Sequence, residues 1–192
     1  MENTKIIFID IDGPLCSSRA SFLPENKTSL RNKEDPMQQG HHKYFDPCAV
    51  WMMNDIILKV KPMFVLSTSW AKYYSIDEMI NFFELNKLHI NKNNIHEDWV
   101  TPKRMSSQRV HEIDWWLDDH PEITEYVIID DSVSREDFCN VKVDRVVNVD
   151  SYDGLNYSNY LEVLKILSYD LENSESRYSL IDKRVKRQWI NY

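Results

Sequence analysis

The chain has 192 residues and a net charge of −8, with 42% hydrophobic and 28% charged residues. This composition is typical of one globular domain and argues against a disordered chain, and apolar runs of about five residues are far shorter than a membrane span of ~20 residues. An acidic chain does not attract phosphates through its overall field, so a phosphate ligand would require a metal ion or a local cluster of Arg and Lys. Because the chain contains three glycines, it has no glycine-rich phosphate loop of the Walker or dinucleotide type.

Scattered cysteines and the first residues of the chain indicate its compartment. Cys16, Cys48 and Cys139 are odd in number, which argues against a disulfide framework and for a reducing environment. No basic segment followed by an apolar stretch precedes the first apolar run, so we expect no secretory signal. The sequence therefore predicts a cytoplasmic protein.

Four short apolar runs predict the strands of a sheet. They cover residues 5–10, 63–67, 126–130 and 143–149. Their nearly continuous apolar character is typical of strands that are covered on both faces, as in a parallel sheet.

Helical patterns lie between these runs. Asp46 and Pro47 predict the N-cap and first turn of one helix, which carries Met53, Ile57 and Val60 on one face. Residues 75–78 predict a capping box for a second helix. Two further apolar stripes are formed by Val110, Ile113, Trp116 and Leu117 and by Leu161, Leu164 and Leu167. Strands that alternate with helices predict an α/β domain with right-handed crossovers.

Two segments lack this periodicity. Residues 16–44 are polar and contain Pro24, Pro36 and Gly40, so they predict a long loop or small insert over one end of the sheet. Residues 171–192 predict a C-terminal tail or helix with a basic segment at 183–187, outside a main domain of residues 1–170.

Polar side chains follow three of the predicted strands. Asp10 and Asp12 follow the first, Ser67 and Thr68 the second, and Asp130 and Asp131 the third. Ligands of open α/β sheets bind at the carboxyl ends of the strands, so these side chains should meet in one crevice. Because four unpaired carboxylates repel one another, we expect a hard divalent cation there, and Mg²⁺ is the expected ion.

This arrangement suits phosphoryl transfer. A carboxylate at a strand end is held rigidly and can attack phosphorus, and an acid two positions later can give a proton to the leaving oxygen. The transferring group also needs a cation, for which the candidates are Arg109 and Lys103. Arg109 is preferred because it opens a predicted helix, whose positive end favours an anion.

At this point the sequence resembles a family, the haloacid-dehalogenase-like (HAD) phosphohydrolases. The four matching motifs are residues 8–15, residues 65–70, Arg109 (or Lys103), and residues 128–131. More narrowly, segments 45–47, 66–70, 109–117 and 153–155 are similar to the small HAD domains associated with RNA-repair proteins. The resemblance implies a three-layer, HAD-like (Rossmannoid) domain with a central parallel sheet and a minimal cap.

The resemblance also implies roles for the site residues. Asp10 would be the nucleophile that forms an aspartyl-phosphate, and Asp12 the general acid and then the base for water. The presence of Asp12 favours phosphoryl over carbon–halogen chemistry. The phosphoryl group would be held by Ser67, Thr68 and Arg109 (or Lys103), and Mg²⁺ by Asp10, Asp12 through its backbone, and Asp130 or Asp131.

The predicted function is a Mg²⁺-dependent phosphomonoesterase. The expected partner is a phosphorylated substrate, a nucleotide or a nucleic-acid end, and this substrate class is implied by the resemblance alone. Three alternatives stay open: a non-catalytic HAD-like binding or regulatory module, a phosphatase of another small phosphoester, and a phosphotransferase. No membrane partner is expected, and the sequence leaves the oligomeric state open.

Two segments that contain histidine are expected to bind no metal ion. Residues 118–120 should end a helix at the surface, and His41 and His42 near Cys48 match no tetrahedral zinc pattern.

Overall fold

The central element is a five-stranded sheet in which every strand is parallel to its neighbours. The strands are β1 (Lys5–Ile9), β2 (Met63–Leu66), β3 (Ile95–Val100), β4 (Glu125–Asp130) and β5 (Val146–Asn148), and their order is β3-β2-β1-β4-β5. This computed structural model describes residues 4–24, 26, 44–103, 108–133 and 138–169. The prediction of a parallel α/β sheet is confirmed.

Within the described residues, four named α-helices cover the two faces of the sheet. They are α1 (Pro47–Val60), α2 (Ile76–Leu85), α3 (Arg109–Asp119) and α4 (Tyr157–Ile166). One core combines side chains of α1, α2 and α4 with Ile7 and Ile9 of β1. The second core combines α3 with Ile6 and Phe8 from the opposite face of the same strand. The alternation of β1 side chains thus separates three layers, as predicted for a HAD-like domain.

Local sequence signals set the helix starts. Asp46 caps α1 by accepting a hydrogen bond from the backbone of Cys48 (2.9 Å), and Pro47 occupies the first turn. Ser75 and Glu78 form the predicted capping box of α2. No helix within the described ranges has the length and apolar character that a bilayer crossing requires.

Two strand predictions need correction. The sequence pattern missed β3, because most of its residues are partly or fully exposed and a polar edge strand lacks the continuous apolar run of a buried one. The predicted strand at 143–149 was too long: Val143–Arg145 form a 3₁₀ turn, and β5 covers Val146–Asn148. Most of the predicted insert at 16–44 and the predicted tail at 171–192 lie outside the described residues.

Candidate active site

The carboxyl ends of the central strands bring the predicted residues to one edge of the sheet. The backbone N–H of Asp10 donates to the carbonyl of Ile129 (3.0 Å), and that of Ser67 donates to the carbonyl of Ile9 (2.9 Å). The last residues of β1, β2 and β4 are therefore hydrogen-bonded neighbours. The side chains that follow these strands face a common crevice, because parallel strands end at the same edge.

Three carboxylates of this crevice form a cluster. Asp10, Asp130 and Asp131 each offer an oxygen atom, and these oxygens lie within 4.8 Å of one another. Burial and then the charge of Asp130 raise the pKa of Asp10 from 3.8 to about 7. Burial also raises the pKa of Asp130, and burial together with the charge of Asp130 raises that of Asp131. The folded chain therefore holds negative charge here at a cost, which a bound cation would relieve.

Backbone donors fix one oxygen of each buried carboxylate. Asp10 Oδ1 accepts from the N–H of Ile11 (2.7 Å). Asp130 Oδ1 accepts from the N–H (2.8 Å) and hydroxyl (2.7 Å) of Ser132 and from the N–H of Val133 (3.2 Å). The other oxygen of Asp130, Oδ2, is buried and has no hydrogen-bond partner in the described part of the chain. Carboxylate oxygens are the ligands that Mg²⁺ prefers, so the donor set fits a hard divalent cation.

Gly13 leaves room for the third carboxylate. Its φ of +86° lies in the left-handed region, and a Cβ atom at this position would come within 2.7 Å of Asp131 Cγ and Oδ2. A glycine here satisfies both the backbone turn and the close approach of the Asp131 side chain.

Arg109 contacts the cluster from the first turn of α3. Its Nη2 lies 3.3 Å from Asp10 Oδ2, its Nε lies 3.4 Å from Asp130 Oδ2, and its Nη1 lies 3.1 Å from Glu112 Oε2. The structure places this arginine at the start of α3, beside the crevice. Among the described residues, Arg109 Nε and Asp130 Oδ2 make no hydrogen bond. The guanidinium therefore offsets the negative charge of Asp130 but does not occupy its Oδ2 as a hydrogen-bond donor.

Lys103, the other cation candidate, sits beside the second strand end. Its ammonium donates to the backbone carbonyl of Thr68. Burial, followed by the charge of Arg109, lowers the pKa of Lys103 to about 8. Arg109 thus contacts the carboxylates of the crevice directly. Lys103 instead binds the backbone of Thr68, the residue after Ser67.

The hydroxyls of the second strand end differ in their contacts. Ser67 is fully buried, and its Oγ has no hydrogen-bond partner among the described residues. The Thr68 hydroxyl accepts from the N–H of Trp70 (3.3 Å), which caps the 3₁₀ turn Ser69–Lys72. While burial raises the pKa of Asp10, a hydrogen bond with the Thr68 side chain partly offsets this effect. A buried hydroxyl without a partner, such as that of Ser67, is suited to an oxygen-rich ligand.

Asp12 stands apart from the three clustered carboxylates. Its Oδ2 accepts a hydrogen bond from Nε1 of Trp70 (3.0 Å), a fully buried residue of the 3₁₀ turn. Sequence reasoning missed Trp70 and Glu112 as members of the site. The spacing of Arg109 and Glu112 on one helix face was a usable signal, whereas no local pattern links Trp70 to an acid 58 residues earlier.

A three-layer α/β domain with this acidic crevice at its strand ends has the architecture of a HAD-type domain. The family model described as "HAD domain in Swiss Army Knife RNA repair proteins" matches residues 6–159. The chain therefore belongs to this family. No curated protein and no solved structure matches the chain.

Proposed function

We propose that the chain is a Mg²⁺-dependent phosphomonoesterase that works through an aspartyl-phosphate on Asp10. The carrying observation is the cluster of Asp10, Asp130 and Asp131 at adjoining strand ends, in contact with Arg109. Membership of a HAD domain family supports a phosphohydrolase of this type.

The carboxylates of Asp10, Asp130 and Asp131, with the backbone of Asp12, would hold the metal ion. A bound Mg²⁺ neutralises negative charge on the phosphoryl oxygens and on the cluster itself. The raised pKa values of the three carboxylates support this assignment, as does Asp130 Oδ2, a buried oxygen that accepts no hydrogen bond from the described residues.

Asp10 and Asp12 divide the covalent and proton-transfer work. A carboxylate oxygen of Asp10 attacks the phosphorus atom, and the ester oxygen leaves with the electron pair of the broken P–O bond. Asp12 gives its proton to that oxygen, and then takes a proton from the water that attacks the aspartyl-phosphate. This second attack releases inorganic phosphate and restores Asp10. The indole of Trp70 holds one oxygen of Asp12 in place for both transfers.

Hydroxyl groups and cationic side chains around the crevice would bind the phosphoryl group. Ser67 brings a buried hydroxyl that needs a partner, and Arg109 brings a guanidinium suited to two phosphoryl oxygens. Thr68 hydrogen-bonds to Asp10, and Lys103 adds a second positive charge behind Thr68. These cations supply locally what the net charge of −8 does not.

The proposed substrate is the phosphate of a nucleotide or of a nucleic-acid end, and the proposed compartment is the cytoplasm. The family's association with RNA repair supports the nucleic-acid end. The proposed catalytic domain covers residues 1–170, and the basic segment at 183–187 is the candidate grip on a polynucleotide.

Phosphate release by the pure protein tests this proposal. The substrates are an aryl phosphate, mononucleotides, sugar phosphates, and oligonucleotides with a 3′- or 5′-phosphate. We expect Mg²⁺-dependent turnover that Asp10→Asn and Asp12→Asn abolish and that the exposed-site control Asp144→Asn retains. A non-catalytic module would release no phosphate from any substrate. A preference for oligonucleotide ends that weakens with salt and on removal of residues 183–192 would support a polynucleotide substrate.

A further inference from the structure

A second group of metal-ligating side chains lies at the far end of α3 from Arg109. His96 and Asp98 belong to the edge strand β3, and His120 caps the C-terminus of α3. Each offers one ligand atom, and these atoms lie within 4.8 Å of one another. Because an 11-residue helix is about 16 Å long, this cluster is separate from the carboxylates at the first turn.

The contact between the His120 ring and the Asp98 carboxylate needs either a proton or a metal ion between the two groups. Nδ1 of His120 lies 2.7 Å from the carbonyl oxygen of Trp116, which can only accept, so this nitrogen carries a proton. Nε2 lies 2.9 Å from Asp98 Oδ2. A neutral ring would point a lone pair at a carboxylate oxygen, and the contact therefore calls for a proton on Nε2 or on Asp98, or for a metal ion between them. A histidine whose Nδ1–H is held by a backbone carbonyl is the usual form of a metal ligand.

The third side chain distinguishes these two possibilities. A proton shared by His120 and Asp98 needs no further partner, yet the ring of His96 lies edge-on to that of His120, with centroids 5.2 Å apart. The backbone N–H of Asp98 donates to Nδ1 of His96 (3.1 Å), and a metal ion on either nitrogen of this ring would replace that hydrogen bond. Two imidazoles and one carboxylate around a common point make a typical three-residue transition-metal site.

Trp116 holds the cluster in shape. Its indole stacks on His120, with centroids 3.7 Å apart and planes at 13°, and meets His96 edge-on at 5.0 Å. Its Nε1 donates to the backbone carbonyl of Asp98 (2.9 Å). One buried side chain thus contacts all three residues and fixes the spacing between α3 and β3 at the cluster.

We propose that His96, Asp98 and His120 bind one divalent transition-metal ion, with Zn²⁺ as the ion that the ligand set fits best. Mixed nitrogen and oxygen ligands suit Zn²⁺, whereas the all-oxygen cluster around Asp10 suits Mg²⁺. The 2.9 Å between Nε2 and Oδ2 is a hydrogen-bond distance, and a tetrahedral ion with bonds of ~2.0–2.1 Å would widen it to about 3.3 Å. The ion ties the C-terminus of α3 to strand β3 and so supports the helix that carries Arg109.

Calorimetric titration of Zn²⁺ into the full chain tests the site, with saturating Mg²⁺ present to compete at the carboxylate cluster. We expect one Zn²⁺ per chain, bound at least about tenfold more weakly by His96→Asn, Asp98→Asn and His120→Asn. His89→Asn, an exposed histidine outside the cluster, should bind as the parent does, and so should a double His41→Ala, His42→Ala variant. Unchanged affinity in the three cluster variants, or a loss confined to the double variant, would overturn the proposal.

Thermal unfolding separates a metal site from a simple ion pair. Because the Asp98 side chain is 65% exposed, Asp98→Asn should fold normally. We expect Zn²⁺ to raise the Tm of the parent chain and of Asp10→Asn, and to leave that of Asp98→Asn unchanged. The metal site would be refuted if Zn²⁺ left the Tm of the parent chain unchanged and Asp98→Asn had a lower Tm than the parent without metal. That result would show that His120 and Asp98 form an ion pair. Because Asp10→Asn keeps the Zn²⁺ response, failure of the phosphatase proposal does not affect this result.

Discussion

Asp10→Asn is expected to remove activity while stabilising the metal-free fold at alkaline pH. Burial and the charge of Asp130 raise the pKa of Asp10 from 3.8 to about 7. The folded chain therefore binds this proton more tightly than the unfolded chain does. This contribution to stability is fully present below pH 3.8 and is lost as the pH rises through about 7. An asparagine carries no charge and avoids the loss.

The magnitude follows from the difference between the folded and unfolded pKa. One pKa unit corresponds to ~1.36 kcal/mol, so the full difference for Asp10 is at most about 4 kcal/mol. Asp130 and Asp131 share the same charge repulsion, and we therefore expect Asp10→Asn to gain about 2–4 kcal/mol at pH 8. Near pH 4 the two proteins should agree within about 1 kcal/mol, because Asp10 is then protonated in the folded state and only about half ionised in the unfolded state.

Urea unfolding in EDTA at pH 4 and pH 8 measures this effect, with Asp144→Asn as the exposed control. Added Mg²⁺ should raise the midpoint of the parent protein at pH 8 much more than that of Asp10→Asn. A variant that is less stable than the parent at pH 8, or a difference that is independent of pH, would refute the reasoning. Either result would mean that the contact with Arg109 outweighs the burial of the Asp10 carboxylate.

Three further substitutions test separate parts of the site. Gly13→Ala should weaken Mg²⁺ binding at least about tenfold, because the added Cβ would displace the Asp131 side chain. It should also lower the free energy of unfolding by about 1–3 kcal/mol, because the residue has a positive φ; unchanged Mg²⁺ affinity would contradict this. Trp70→Phe removes the hydrogen bond to Asp12 and should lower kcat about tenfold for a nucleotide. The loss should be smaller for an aryl phosphate, whose leaving group needs little protonation by Asp12; equal losses would indicate a purely structural role. Burial lowers the pKa of Lys103 to about 8, so the lysine loses its positive charge above this pH. KM should therefore rise above pH 8 in the parent protein and stay level in Lys103→Arg; the same rise in both would exclude this lysine as the cause.

The sequence predicted those elements whose position is decided by burial on both faces. Strands β1, β2 and β4 lie at the centre of the sheet, and their apolar runs leave little choice of structure. Strand β3 is at the edge, where one side is unpaired and polar residues such as Glu97 and Asp98 face solvent. Its place in the sheet depends on pairing with β2, which a local pattern does not encode.

The site shows the same division between chain-local and tertiary information. Asp10, Ser67 and Asp130 could be predicted to meet because each follows a strand of one parallel sheet. The contact of Trp70 with Asp12 could not be predicted, because it depends on how a 3₁₀ turn after β2 packs over the end of β1. At residues 118–120 the sequence led us to expect a surface helix end without a metal, because the approach of His120 to His96 and Asp98 depends on how a helix terminus packs against an edge strand.

Helix α3 connects the two proposed sites mechanically. Arg109 at its first turn lies among the carboxylates of Asp10 and Asp130, and His120 at its end lies against Asp98. Between them, the apolar face of α3 packs on the sheet beside Phe8, which meets Trp116 edge-on at 5.2 Å. Because one helix of three turns carries both residues, we expect a displacement of its C-terminal end to change the position of Arg109. A metal ion at the far end would therefore act on phosphoryl binding through the position of the helix, without touching the substrate.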